Sequence, residues 1–165
     1  MFEYINTGSK TADKMLSEAM KVSNRNKETF KLGERIVYQL TSDKLIKALG
    51  VRGSYAVAFT PKQKKNFFGK EPKKKKVFII EESGHPQNIS KIIRQHEIGH
   101  FINDHKGGKR CLKHEFEADS YMAKSCGKKN SIDALSYIQK TCNAPVLLYS
   151  RLEILLRQAK ILVSK

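Results

Sequence analysis

His96-Glu97-Ile98-Gly99-His100 is the stretch of this chain of 165 residues that decides the predicted fold, because it reads H-E-x-x-H. On an α-helix, side chains four residues apart lie one above the other, so His96 and His100 can direct two imidazole nitrogens at one metal ion. Glu97 would then lie beside the metal, where a carboxylate can act as general base on a water held there. The pattern therefore predicts a helix that carries two zinc ligands and a base for peptide hydrolysis.

The residues on either side of this pattern predict the same helix. Side chains at positions 89, 92, 93, 96 and 100 recur at helical period and share one side. Asn88 supplies an N-cap, Pro86 stands just ahead of it, and Gly107-Gly108 would follow the last turn. We therefore expect the active-site helix to begin near residue 88 and to end before residue 107.

A catalytic zinc ion takes a third protein ligand and keeps one position open for water. In the segment after the first pattern, Glu115 on a second helix is the favoured third ligand, and His114 is the alternative. Asp119 lies four residues beyond Glu115 on the same side of that helix, where it can accept a hydrogen bond from a zinc-bound histidine. Small residues at Ala118 and Ala123 would let the second helix pack closely against the first.

Other polar residues near the H-E-x-x-H pattern are not expected to bind the metal. The third histidine of a metzincin is not present, because Asn103 and Lys106 occupy the positions of the required Gly and His. His105 lies five residues after His100, so we expect it to pack or to contact a ligand without touching the metal. Glu117 is expected to point away from the site.

The segments H-E-I-G-H-F-I-N-D-H (96–105) and E-F-E-A-D-S-Y-M-A (115–123) together resemble the gluzincin pattern of the HtpX and CAAX-prenyl-protease family. They are also similar to the ImmA/IrrE-type metallopeptidases, whose second motif reads E-x-E-A-N. The resemblance covers roughly residues 88 to 124 and implies a zincin-like fold. It implies zinc bound by His96, His100 and Glu115, with Glu97 as general base and Asp119 as the orienting carboxylate.

The rest of the chain predicts an α+β architecture with a small antiparallel or mixed sheet. Strands are expected at residues 35–41, 54–60 and 77–81, and helices at residues 11–22 and 42–50. The last two strands should form an antiparallel pair joined by a basic loop over residues 61–76. Residues 77–81 are expected to be the edge that accepts an extended peptide as an added strand.

Two further helices are expected after the glutamate helix, one opening at Ser131 and one running from Pro145 to Leu162. The final helix sets its leucines against Arg151, Arg157 and Lys160. This pattern favours packing of the leucine face in the core over a membrane-surface or partner helix.

Length and composition predict a single domain spanning residues 1–165, with 39 % apolar residues to build one core. No apolar run approaches the roughly 20 residues of a membrane span. The N-terminus lacks the basic segment followed by an apolar segment that is typical of a signal peptide. An intracellular, soluble protein is therefore expected. Its three cysteines lack a C-x-x-C pair and are expected to be reduced thiols.

The formal net charge of +16 predicts attraction to polyanions such as nucleic acid. The excess is concentrated from Lys62 to Lys76, where Phe67 and Phe68 could stack on bases. Residues 72–77, from Pro72 to Val77, also read as a short nuclear-import signal, which makes the nucleus an alternative to the cytoplasm. A solvated loop is the favoured interpretation, because no DNA-reading motif accompanies the lysines.

These observations predict a zinc metallopeptidase of gluzincin type that hydrolyses peptide or protein substrates. One alternative is a SprT-like protease acting on DNA-bound proteins, with His114 as third ligand and the basic loop as docking surface. The other is a catalytically silent zincin scaffold that binds nucleic acid or an acidic protein partner.

Overall fold

The structure is a computed structural model that describes residues 5–26, 29–50, 56–63, 75–105, 111–141 and 148–164. These residues form an α+β fold, as predicted, with six helices and a small mixed sheet of four strands. The chain divides into two compact units, Met1–Ser83 and Gly84–Lys165. Among the described residues, no helix is long and apolar enough to cross a membrane.

The first unit contains both sheets. The four-stranded sheet has the order β2-β3-β6-β4, in which β3 and β6 run parallel and the other pairs run antiparallel, while β1 and β5 form a separate antiparallel pair. The elements are β1 (Ile5–Asn6), α1 (Lys10–Asn26), β2 (Thr29–Leu32), β3 (Arg35–Thr41), α2 (Asp43–Ala48), β4 (Ala56–Phe59), β5 (Lys62–Gln63) and β6 (Lys75–Glu81).

Both helices of this unit cover one face of the four-stranded sheet. Leu16 of α1 and Leu45 of α2 are buried in one cluster with Tyr38 of β3 and Phe78 of β6. The two aromatic rings stack with centroids 5.2 Å apart. The side chain of Ser42 caps α2 by accepting a hydrogen bond of 3.2 Å from the backbone N–H of Leu45, so this helix begins where the sequence predicted.

The prediction that residues 77–81 form a sheet edge is wrong. Strand β6 pairs with β3 along its whole length and with β4 from residue 78 to residue 81, so its backbone is bonded on both sides. An added strand needs free N–H and C=O groups, which only an edge strand offers. In the described part of the sheet, the edges are β2 and β4.

The predicted basic loop over residues 61–76 begins and ends in strands. Lys62 belongs to β5, and Lys75 and Lys76 belong to β6. Residues 64–74, which hold Phe67, Phe68 and Pro72, lie outside the described residues. The prediction of nucleic-acid contact through this stretch therefore stays a prediction.

The second unit consists of four helices, α3 (Gln87–Ile102), α4 (Leu112–Cys126), α5 (Lys128–Thr141) and α6 (Leu148–Val163). Helix α3 is capped by Pro86 and not by Asn88, which lies in its first turn. Helix α5 begins three residues before Ser131, whose hydroxyl donates a hydrogen bond of 3.0 Å to the carbonyl of Gly127. Gly107-Gly108, predicted to follow α3, and Pro145, predicted to start the last helix, lie outside the described residues. Cys111 and Cys126 carry free thiols.

Helix α6 packs with a different face from the one its sequence predicted. Its buried side chains are Ile154, Arg157 and Ile161, which recur at helical period. The expectation that the leucines would pack in the core is wrong for Leu152, Leu155, Leu156 and Leu162, which are 45–63 % exposed. Arg157, at 6 % exposed, takes a place on the buried face of the helix that the prediction gave to leucine.

Candidate metal centre

The candidate metal centre, formed by His96, His100 and Glu115, lies where α3 and α4 approach each other closely. This close approach depends on the absence of a side chain at Gly99. A Cβ atom built at Gly99 would lie 2.8 Å from Cα and 2.9 Å from the carbonyl oxygen of Ala118. Contacts that short cannot be relieved by rotating a side chain, because both atoms belong to the backbone. Ala118 is fully buried, and the small side chain expected on α4 lies against Gly99 of α3. The role of Gly99 was not predicted from the sequence.

Three side chains from these helices converge on one point. Nε2 of His96 lies 3.1 Å from Nε2 of His100. Oε2 of Glu115 lies 3.4 Å from Nε2 of His96, and Oε1 of Glu115 lies 3.7 Å from Nε2 of His100. Ligand atoms of a tetrahedral site with bonds of about 2.0–2.1 Å lie about 3.3 Å apart. The spacing therefore fits one small divalent cation, and His96, His100 and Glu115 form a group that could hold a metal ion.

The outer nitrogen of His96 is held by Asp119, in the position that the sequence predicted. Nδ1 of His96 lies 2.8 Å from Oδ1 of Asp119, which is 1 % exposed. A carboxylate at Nδ1 fixes the tautomer that leaves the Nε2 lone pair directed at the metal position. Asp119 thus orients His96 without joining the ligand group.

Arg157 of α6 completes the centre and was not predicted from sequence. Its guanidinium donates to both oxygens of Asp119 at 2.7 and 2.8 Å and lies 3.0 Å from Oε2 of Glu115. Arg157 is 6 % exposed, so its buried cation helps to compensate two carboxylates that are also withdrawn from water. Local periodicity could not reveal this role, because Asp119 precedes Arg157 by 38 positions in the chain.

His105 contacts a ligand and not the metal position, as expected. Its Nδ1 lies 2.9 Å from Nδ1 of His100, and its Nε2 lies 2.7 Å from Oε2 of Glu117. If His105 carries its proton on Nε2 and donates to Glu117, its Nδ1 accepts from Nδ1–H of His100. That chain of hydrogen bonds leaves Nε2 of His100 available for a metal.

His114 lies outside the ligand group. Its ring stacks on the ring of His105 with centroids 4.2 Å apart and an interplanar angle of 16°. Glu115, the next residue, is instead the third member of the group that could hold a metal ion. Glu117 points away from the ligand group, as expected, and is instead the hydrogen-bond partner of His105.

The charges of the centre balance without a metal. Burial opposes protonation of His96, but hydrogen bonds to Asp119 and Glu115 raise its pKa to about 9. Burial and the neighbouring His96 lower the pKa of His100 to about 4. Burial opposes ionisation of Glu115 and Asp119, but hydrogen bonds outweigh it. The hydrogen bond from His96 holds the pKa of Glu115 below its ordinary value, and the hydrogen bond from Arg157 does the same for the pKa of Asp119.

At neutral pH, the cations of His96 and Arg157 therefore face the carboxylates of Glu115 and Asp119, and Glu153 also lies 3.7 Å from Arg157. A divalent ion must displace the proton of His96 to bind. Glu97 follows His96 on α3 and is 8 % exposed, so its carboxylate is largely withdrawn from bulk water. A carboxylate at this position of an H-E-x-x-H helix is placed to exchange protons with a reacting water.

Comparisons of this chain with models of known protein families, with curated proteins and with solved structures found no significant match. The residues of the centre and their geometry therefore carry the functional interpretation.

Proposed function

We propose that this protein is a zinc-dependent metallopeptidase of gluzincin type. The observation that carries the proposal is the convergence of two imidazole nitrogens from α3, the helix that also bears Glu97, and one carboxylate from α4, all within 4.8 Å of one another. Two imidazoles and a carboxylate are the ligands of catalytic zinc in hydrolases of this type. The placement of Glu115 in the group, with His114 stacked elsewhere, supports this arrangement over the SprT-like alternative.

Each residue then has a distinct part in hydrolysis. His96, His100 and Glu115 would hold zinc, which when bound supplies a Lewis acid that polarises the peptide carbonyl and lowers the pKa of water. Glu97 would accept a proton from the attacking water on its carboxylate and deliver it to the nitrogen of the leaving amine. Asp119 and His105 would keep the two imidazoles oriented, each through a hydrogen bond to Nδ1.

Elemental analysis of the purified protein tests the ligand set. We expect about one zinc ion per chain in the wild type and a loss of zinc in Glu115→Ala, with His114→Ala as the matched control that keeps it. Zinc that is absent from the wild type after zinc is added back would contradict the proposal. Zinc lost in His114→Ala but kept in Glu115→Ala would favour the alternative ligand.

Glu97→Gln separates a catalyst from a silent scaffold. The substitution keeps the size of the side chain but removes the base, so turnover of a quenched fluorescent peptide library should fall by a factor of about 100 or more. Zinc content and unfolding should match those of the wild type, because Glu97 is not a ligand. Full turnover in Glu97→Gln would refute the proposed role of this residue.

A further inference from the structure

The outward face of α6 carries a stripe of large apolar side chains. Leu152 and Leu155 are each 53 % exposed, and Leu162 and Val163 are 63 % and 74 % exposed. Leu156, at 45 %, lies between them on the same side of the helix. We call these five residues the α6 stripe. It extends over about 16 Å, since residues 152 to 163 rise about 1.5 Å each along a helix.

The exposure of the α6 stripe is fixed by contacts on the opposite side of the helix. Arg157 is bonded to Asp119 of α4, and Nε2 of Gln158 donates to Oγ of Ser136 of α5 at 2.8 Å. Rotating α6 to bury the leucines would pull Arg157 away from Asp119 and Glu115 and leave two buried carboxylates facing His96 alone. The stripe is therefore a built feature of the fold, and an exposed apolar face of this kind marks an interaction site.

Exposed lysines lie beside the α6 stripe. Lys160 is exposed on α6, and the ammonium of Lys128 donates to the carbonyl of Leu162 at 3.2 Å and to the carbonyl of Ser164. Lys129 follows Lys128 and is also exposed. The carboxylate of Glu153 is directed inward, 3.7 Å from Nη1 of Arg157, so it compensates the buried arginine.

We propose that the α6 stripe docks this protein on an anionic lipid surface. The apolar side chains would enter the boundary between headgroups and acyl chains, while Lys160 and Lys128 would pair with negatively charged headgroups. A second copy of this chain fits the stripe less well, because each copy carries a net charge of +16 and the two would repel one another.

Co-sedimentation of the full chain with vesicles tests the docking. We expect binding to vesicles of phosphatidylcholine with about 30 % phosphatidylserine, weak binding to phosphatidylcholine alone, and loss of binding as salt screens the charges. The double variant Leu155→Ser with Leu156→Ser should bind the anionic vesicles about tenfold more weakly or worse. The matched control, Leu155→Met with Leu156→Met, keeps the apolar surface and should bind within about twofold of the wild type.

A charge reversal tests the lysines. Lys160→Glu should weaken binding to anionic vesicles about 30-fold, since each charge at the surface contributes about fivefold and the reversal changes two. Lys44→Glu, an exposed position on α2, makes the same change in net charge and should cost about threefold or less. Unfolding curves for every variant establish that the fold is kept.

Three results would overturn the proposal. The first is a wild type that fails to bind anionic vesicles at low salt, and the second is a double serine variant that binds them as well as the wild type. The third is a wild type that forms a dimer, with a serine variant that is monomeric and no vesicle binding by either protein; this result would assign the stripe to a second copy. Glu97→Gln should bind vesicles like the wild type, so this test is independent of peptidase activity.

Discussion

Replacing Arg157 by methionine should destabilise the metal-free protein more than any surface substitution. Methionine fills a similar volume but removes the guanidinium that bonds Asp119 at 2.7 and 2.8 Å and lies 3.0 Å from Glu115. Asp119 is 1 % exposed, so its charge would lose the guanidinium and keep His96 as its cationic neighbour, without gaining water. Removing one partner of a buried ion pair costs about 3–5 kcal/mol. For a chain of this size, that corresponds to a fall in Tm of about 6–20 °C.

Urea and thermal unfolding in the presence of a chelator measure this effect. Lys160→Met on the exposed side of the same helix is the control and should change the free energy of unfolding by about 0.5 kcal/mol or less. Adding Asp119→Asn to Arg157→Met removes the uncompensated charge, so the double variant should be more stable than the sum of the two losses by about 0.5–3 kcal/mol.

Zinc should reduce the loss in Arg157→Met, because a divalent ion beside Glu115 would replace part of the missing positive charge. A metal-free Arg157→Met protein within about 0.5 kcal/mol of the wild type would refute the view that Arg157 compensates these carboxylates.

The remaining predictions concern the packing and protonation of the same centre. Gly99→Ala should force α3 and α4 apart, because the new Cβ meets backbone at 2.8 Å; we expect a loss of about 1–3 kcal/mol in urea unfolding, and unchanged stability with full zinc content would contradict this. Glu117→Ala should weaken zinc binding about tenfold in a competition titration by removing the acceptor of the hydrogen bond from His105, and an unchanged zinc affinity would exclude this role. Without metal, stability should be highest near pH 6.5. The pKa of His96, raised from 6.5 to about 9, contributes stability that is present below 6.5 and lost as pH rises through 9. The pKa of His100, lowered from 6.5 to about 4, contributes stability that is present above 6.5 and lost as pH falls through 4. Unfolding curves that do not change from pH 6.5 to 9 in the presence of a chelator would show that His96 is not held protonated.

Spacing along a single helix was sufficient to predict several parts of the centre. His96 and His100 share a face of α3, and Glu115 and Asp119 share a face of α4, because residues four apart lie together at 3.6 residues per turn. The start of α2 followed from the side chain of Ser42 in the same local way. Each of these features is set within about one turn of backbone, where the chain needs no distant partner.

The tertiary structure alone decided the features that depend on residues far apart in the chain. The pairing of β6 on both sides depends on β3, whose residues lie 40 positions earlier, and on β4, and no pattern within residues 77–81 distinguishes a central strand from an edge. Leucine is ordinarily buried before arginine, so the composition of α6 predicted the opposite of what is found. Arg157 is turned inward by ion pairs with Asp119 and Glu115, which would otherwise be buried carboxylates facing only His96, and the leucines of α6 stay half-exposed.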